Sequence, residues 1–185
     1  MTDRLKALEK FILLTLGAVD RPISLLHLEK EVFLLWNFHP DVHNYLNFIK
    51  HYKGPYSEEI AKIIRHPFYL NGCWRYDPPV DSNDLSGGYV GLSDTGRIEY
   101  ERFYSTAKKI ESLLPLLSGI KLVRELYDKL SSEELLLLIY STYPEYTEYS
   151  KIYKDIERKR KTLAKNLLEI GIIDENRFKE LTIGA

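Results

Sequence analysis

The sequence predicts a mostly helical chain with a small β component, an α+β class. Apolar residues recur at three- and four-residue spacing along most of the 185 residues. Ser, Asp, Gly and Pro punctuate those periodic runs at positions that start or stop helices. Strand composition is concentrated in two stretches, Gly72 to Tyr76 and Gly88 to Leu92, on either side of a segment rich in Pro, Asp, Ser and Gly.

The first helix is expected from about Asp3 to Leu16, where Leu5, Leu8, Ile12 and Leu16 share a face and Gly17 ends the run. The turn Asp20-Arg21-Pro22 leads to a second helix, with Ser24 as its cap and Leu25, Leu28, Val32 and Leu35 on one face. His39-Pro40 breaks it. Residues Tyr45 to Tyr52 suit either a short strand or a continued helix. Gly54-Pro55 is a turn signal, and Ser57 is placed to cap a short helix whose first turn holds Glu58 and Glu59. That helix turns Ile60, Ile63 and Ile64 inward and stops before Pro67. The two strands then form a hairpin with a long tip, Pro78 to Gly87.

Leu92-Ser-Asp-Thr-Gly96 opens another helix, expected to carry Ile98, Phe103 and Ile110 toward Leu114. Helices follow at about Lys121 to Leu130, Ser132 to Tyr143 with Ser132 as cap, Thr147 to Ile170, and Glu175 to Leu181. Three helices, a two-stranded wing and a return helix are the winged-helix order. The expected domains are a winged-helix-like domain over residues 1–115 and a helical extension over 116–185.

Three strings resemble the antitoxin-associated Panacea-type domain and its winged-helix-like relatives in bacteria, archaea and phages. They are Leu28-Glu-Lys-Glu-Val-Phe-Leu-Leu35, the aromatic-Gly-Pro turn Tyr52-Lys-Gly-Pro-Tyr-Ser57, and Leu92-Ser-Asp-Thr-Gly96 closing the hairpin. The resemblance spans roughly Leu5 to Glu101. It implies a small prokaryotic or phage regulatory binding domain, in some cases an antitoxin, and not an enzyme.

Composition narrows the function classes. With 44% hydrophobic and 29% charged residues the chain has material for a real core. A net charge of −1 supplies no global attraction to nucleic acid or anionic membranes, so any such attraction must come from a local patch. The single cysteine, Cys73, excludes intrachain disulfides and cysteine-rich zinc sites. The start lacks a signal-peptide pattern and no apolar run suffices for a membrane span, so a cytoplasmic location is expected. No Walker loop, dinucleotide glycine fingerprint or Gly-x-Ser-x-Gly elbow occurs, so binding is expected, with neither catalysis nor a cofactor.

Two kinds of partner fit. The first is duplex DNA, as for a regulator of transcription or defence. The helix after Ser57 would then offer Lys62 and Arg65, although Glu58 and Glu59 at its first turn oppose ordinary major-groove docking. The wing tip carries Asp81 and Asp84 and no cation. A stronger nucleic-acid feature is the row Lys151, Lys154, Arg158, Lys161 and Lys165, whose three-four spacing places five cations on one helical face. The same row also suits a solvated amphipathic helix. The second kind of partner is a protein, for an antitoxin or adaptor without DNA contact. Here Tyr52, Pro55 and Tyr56 of the Gly-Pro turn and Tyr143, Tyr146 and Tyr149 around Pro144 are the candidates. Those tyrosines suit core packing as well as an interface, a homodimer included. His39 and His43 are the one pair that invites a metal, but Pro40 between them argues against a continuous helix, and no metal site is expected.

Overall fold

In a computed structural model of the chain, residues 2–81 and 84–183 are described. Ser82 and Asn83 of the expected wing tip lie outside them. Helices hold 63% of the described residues and strands 9%, so the class is mostly α with small antiparallel sheets. In order, α1 is Thr2–Gly17, β1 Ile23–Ser24, α2 Leu25–Phe38, β2 Ile49–His51, β3 Gly54–Tyr56 and α3 Glu58–Arg65. Then come β4 Trp74–Asp77, β5 Tyr89–Leu92, α4 Asp94–Ala107, α5 Leu114–Tyr127, α6 Ser132–Thr142, α7 Tyr153–Glu169 and α8 Glu175–Thr182. Short 3-10 turns occupy Pro40–Asn44, Glu111–Leu113 and Pro144–Thr147. No helix among the described residues is long and apolar enough to cross a membrane.

Backbone contacts gather these elements into two compact units. Unit 1 is Met1–Phe48 with Ser57–Asp128, and unit 2 is Ile49–Tyr56 with Lys129–Ala185. The contact division therefore differs from a cut after residue 115. Pro115 lies in the first turn of α5, where its missing N–H costs nothing, so that helix starts at Leu114 and not near Lys121. The ambiguous stretch before Gly54 resolves as β2, paired antiparallel with β3 so that Ile49 faces Tyr56 and His51 faces Gly54.

In unit 1 the three-stranded antiparallel sheet has the order β1-β5-β4, with Val90 opposite both Ile23 and Tyr76. Ser24 caps α2 by accepting the His27 N–H at 3.1 Å. The apolar faces of α1, α2 and α3 meet in a core that includes Leu8, Ile12, Leu28, Val32, Ile60 and Ile64. Trp74 of β4 donates its indole N–H to the Ile64 carbonyl at 3.1 Å, which ties the sheet to α3. The segment after α3 is held by Glu9 of α1. This fully buried carboxylate accepts the backbone N–H groups of Phe68, Tyr69 and Leu70 at 2.7, 2.8 and 2.7 Å.

Several local expectations are corrected. Ser57 occupies the N-cap position of α3, but its side chain accepts no backbone N–H there, and its hydroxyl donates to Glu59 at 3.0 Å. Helix α4 stops at Ala107, and Ile98 and Ile110 are exposed. Its rotation is set by Gly96, where a Cβ would overlap the Cys73 carbonyl oxygen. With Gly96 turned against β4's approach, the four-three-four spacing carries Tyr100, Phe103 and Ala107 inward and leaves Ile98 outside. Helix α6 is capped by Ser131 and not Ser132: Ser131 accepts the Glu134 N–H at 3.2 Å, and Glu134 accepts the Ser131 N–H at 2.8 Å. Helix α7 begins at Tyr153, since Pro144–Thr147 forms a separate 3-10 turn.

One buried charge cluster links three helices of unit 1. Arg124 of α5 is fully buried, donating from Nε to the Thr15 carbonyl at 3.1 Å and from Nη1 to Glu31 at 2.9 Å. It also reaches Asp128 at 3.4 Å, and Asp128 pairs with Arg21 at 2.5 Å. Burial, the largest influence, pushes the Glu31 carboxyl up to about 7 against the lowering pull of Arg124. Above an ordinary value of 4.5 and below about 7, the folded protein then holds a proton that the unfolded chain has released. Stability contributed by this group is thus greatest below that window and falls as pH rises through it. Urea midpoints measured from roughly pH 4 to 8 are expected to show wild type losing about 3 kcal/mol relative to Glu31→Gln. Parallel profiles for the two proteins would refute this.

Unit 2 packs α7 against α6 and α8 around Leu135, Ile139, Ile156, Leu163 and Leu167, all buried. The β2–β3 hairpin joins the same unit: Lys151 donates its backbone N–H to the Tyr52 carbonyl at 3.0 Å, and Lys50 forms an ion pair with Glu148.

Candidate functional site

Helix α3 presents Glu58, Lys62, Arg65 and His66 to solvent while Ile60, Ala61, Ile63 and Ile64 are buried. Glu58 and Lys62 pair at 2.9 Å one turn apart, and the Arg65 guanidinium lies 5.6 Å from the Tyr76 ring centroid. The outward face therefore begins with acids, one of which is matched to a cation of the same helix.

The five cations between Lys151 and Lys165 are all exposed on unit 2. Neighbouring groups engage three of them. The Lys151 ammonium sits 4.1 Å from the Tyr52 ring centroid, Arg158 pairs with Asp155 at 2.7 Å, and Lys165 pairs with Glu169 at 3.5 Å. Lys154 and Lys161 are the two of the row with neither a carboxylate partner nor a ring contact among the described residues. They stand seven residues apart, two turns along one face. Lys159 and Arg160, which add to the charge of this helix, pair with Glu133 and Glu157.

The tyrosine candidates separate by depth. Tyr52 and Tyr149 are exposed, Tyr56 and Tyr143 half-buried, and Pro55 and Tyr146 buried. Tyr140 is buried, shares a 2.7 Å hydrogen bond with Ser150, and meets Tyr153 edge-on at 5.6 Å. Burial pushes its phenol up to about 12. Within unit 2 the Tyr52 ring and the Lys151 ammonium form one exposed feature, and Tyr140 and Tyr153 belong to the packing beneath. His43 stacks on Trp36 with ring centroids 4.2 Å apart. Cys73 is buried, and burial pushes its thiol up.

A surface missed in the sequence lies on α2 and α5 of unit 1. Phe38 is 66% exposed and Leu122 63%, with Leu126 exposed beside them. They line a groove of ≈ 470 Å³ together with Pro115 and Gly119. Residues 115, 119, 122 and 126 follow a four-three-four spacing, the period of a helix seam that packs against another helix. Gly119 keeps the middle of the seam shallow, with the Leu35 side chain behind it. Starting this helix near Lys121 hid the stripe, because Pro115 and Gly119 then fell outside it. The periodicity is visible once Pro115 is placed in the first helical turn.

No protein-family model matches the chain, and none of the curated proteins is significantly similar to it.

Proposed function

We propose that this chain is a regulatory binding module of the winged-helix-like type with a helical extension. Its partner is a protein, as for an antitoxin or adaptor. Within unit 1 the order α1-β1-α2-α3-β4-β5, interrupted between α2 and α3 by the β2–β3 hairpin of unit 2, and the sheet order β1-β5-β4 support the winged-helix-like part. The resemblance of the Leu28, Tyr52 and Leu92 strings to Panacea-type regulators points the same way, by analogy of fold. The observation that carries the choice of a protein partner is the apolar groove on α2 and α5. A seam of exposed Phe38, Leu122 and Leu126 loses free energy in water, and its heptad-like spacing suits the apolar face of a partner helix.

Leu122→Glu with Leu126→Glu tests this reading. Wild-type protein purified from its native host is expected to carry a stoichiometric partner that the double variant loses, with an unchanged melting temperature. The partner's identity comes from mass spectrometry, and crosslinks must run from Leu122 or Phe38. Crosslinks between copies of this chain would make the module a homodimer. A wild-type protein that sediments alone at every concentration and yields no crosslink from either residue would refute the reading.

The second reading, a duplex-DNA regulator, rests on Lys154 and Lys161. Two phosphate contacts predict a log-log salt slope of about −2. Fluorescence anisotropy with duplex from the gene's own upstream region is expected, on this reading, to show that slope and to lose it in Lys154→Glu/Lys161→Glu. Absence of binding at low salt would eliminate it.

A further inference from the structure

Unit 1 contains a second cleft, of ≈ 590 Å³, between α1, α4 and the turn that precedes α5. Its floor is made by Phe11, Val42 and Ala107, all buried. The ring of Phe103 stands at the mouth between two cations. Lys10 Nζ lies 4.8 Å from the ring centroid and Arg102 Cζ 5.0 Å from it. No Asp or Glu is among the described residues that line the cleft. Arg102 pairs at 2.5 Å with Glu99, one turn back on α4. Lys10 has no carboxylate partner among the described residues and is half-buried.

We propose that this cleft binds a small amphipathic monoanion, a carboxylate carried on an aromatic or medium-length aliphatic body. The volume lies in the range of small-molecule sites, and an apolar recess with a few polar groups at its rim is their usual make-up. The apolar body occupies the floor over Phe11, Val42 and Ala107, which removes both surfaces from water. The carboxylate lies at the mouth beside the Lys10 ammonium, with the Arg102 guanidinium adding positive field. Lys10 is the one cation of a mostly apolar lining that has no carboxylate partner among the described residues, which suits a single charge. A nucleotide or polyphosphate would need several free cations, and of the two at this mouth Arg102 is already paired with Glu99. A partner helix is the occupant the α5 seam fits, whereas here the apolar floor is a recess. This inference stands apart from the protein-partner reading, because the cleft's cations and floor are not part of the α5 groove.

Isothermal titration of the full chain with naphthalene-2-carboxylate and with dodecanoate tests the proposal, with naphthalene-2-carboxamide as the neutral control. Saturable one-to-one binding of at least one carboxylate is expected, with the amide weaker by about tenfold or more. Lys10→Glu is expected to weaken carboxylate binding by about tenfold or more, and Lys10→Gln by less. Both changes are at the cleft mouth, and unchanged melting temperatures would show that they leave the fold intact. Leu122→Glu is expected to leave the affinity unchanged. The proposal is overturned if neither carboxylate binds saturably at millimolar concentration, or if the amide binds as tightly. Binding that survives Lys10→Glu but is lost in Leu122→Glu would place the ligand in the α5 groove and would also overturn it.

Discussion

Arg124→Ala is expected to destabilise the protein by about 3–5 kcal/mol, measured as a shift in the urea midpoint at constant slope. The side chain is 0% exposed and joins α5 to the last turn of α1, through the Thr15 carbonyl, and to Glu31 of α2. Truncation removes a guanidinium from a dry site and leaves a buried carboxylate without its cation. It also orphans the Thr15 carbonyl, one of the groups at a helix end that need an outside partner. The network is only partly satisfied to begin with, since Glu31 Oε1 and Arg124 Nη2 make no hydrogen bond among the described residues. Replacing both members should therefore cost less than replacing one. Arg124→Leu combined with Glu31→Leu is expected to recover much of the loss seen in Arg124→Ala. A single variant within about 1 kcal/mol of wild type would show that the cluster is not a structural link.

The second large effect is expected at Gly96. A Cβ there overlaps the backbone oxygen of Cys73, which cannot rotate away as a side-chain end can. The same carbonyl accepts the Ser93 N–H at 3.0 Å, and the Ser93 hydroxyl accepts the Gly96 N–H at 3.0 Å and donates to the Gly72 carbonyl at 2.5 Å. Gly96→Ala must push the start of α4 away from residues 72 and 73 and stretch both bonds that Ser93 makes to them. A loss of about 3–5 kcal/mol is expected, at the upper end of single substitutions and opposite in sign to the usual gain from Gly→Ala inside a helix. Thermal melts of Gly96→Ala and of an exposed α4 control, Ser105→Ala, distinguish a packing clash from helix propensity. A rise in melting temperature for Gly96→Ala would refute the close approach.

These two sites show where the sequence was and was not legible. Leu28, Val32, Ile60 and Ile64 were readable as inward faces because helical spacing is a local property, and all four are buried. In α4 the helix was expected to run toward Leu114 but stops at Ala107, and the contact between Gly96 and Cys73 sets a rotation that leaves the apolar Ile98 exposed. Spacing placed the cations from Lys154 to Lys165 on one helical face, whereas Lys151 falls before the start of α7. It did not show that Asp155 and Glu169 would pair with two of them and the Tyr52 ring cover Lys151.

The sequence by itself determined the mostly helical class, the hairpin between Gly72 and Leu92, the Ser24 cap and the acidic first turn of α3. Each of these depends on residues within a few positions of one another, so backbone geometry and local hydrogen bonding decide them. Tertiary structure alone decided the membership of the two units, with residues 49–56 joined to the helices after Lys129. It also decided the rotation of α4, the burial of Arg124 with Glu31, and the exposure of the α5 seam. Those outcomes turn on contacts between segments from some twenty to about a hundred residues apart, where close packing and the desolvation of charge outweigh local preference.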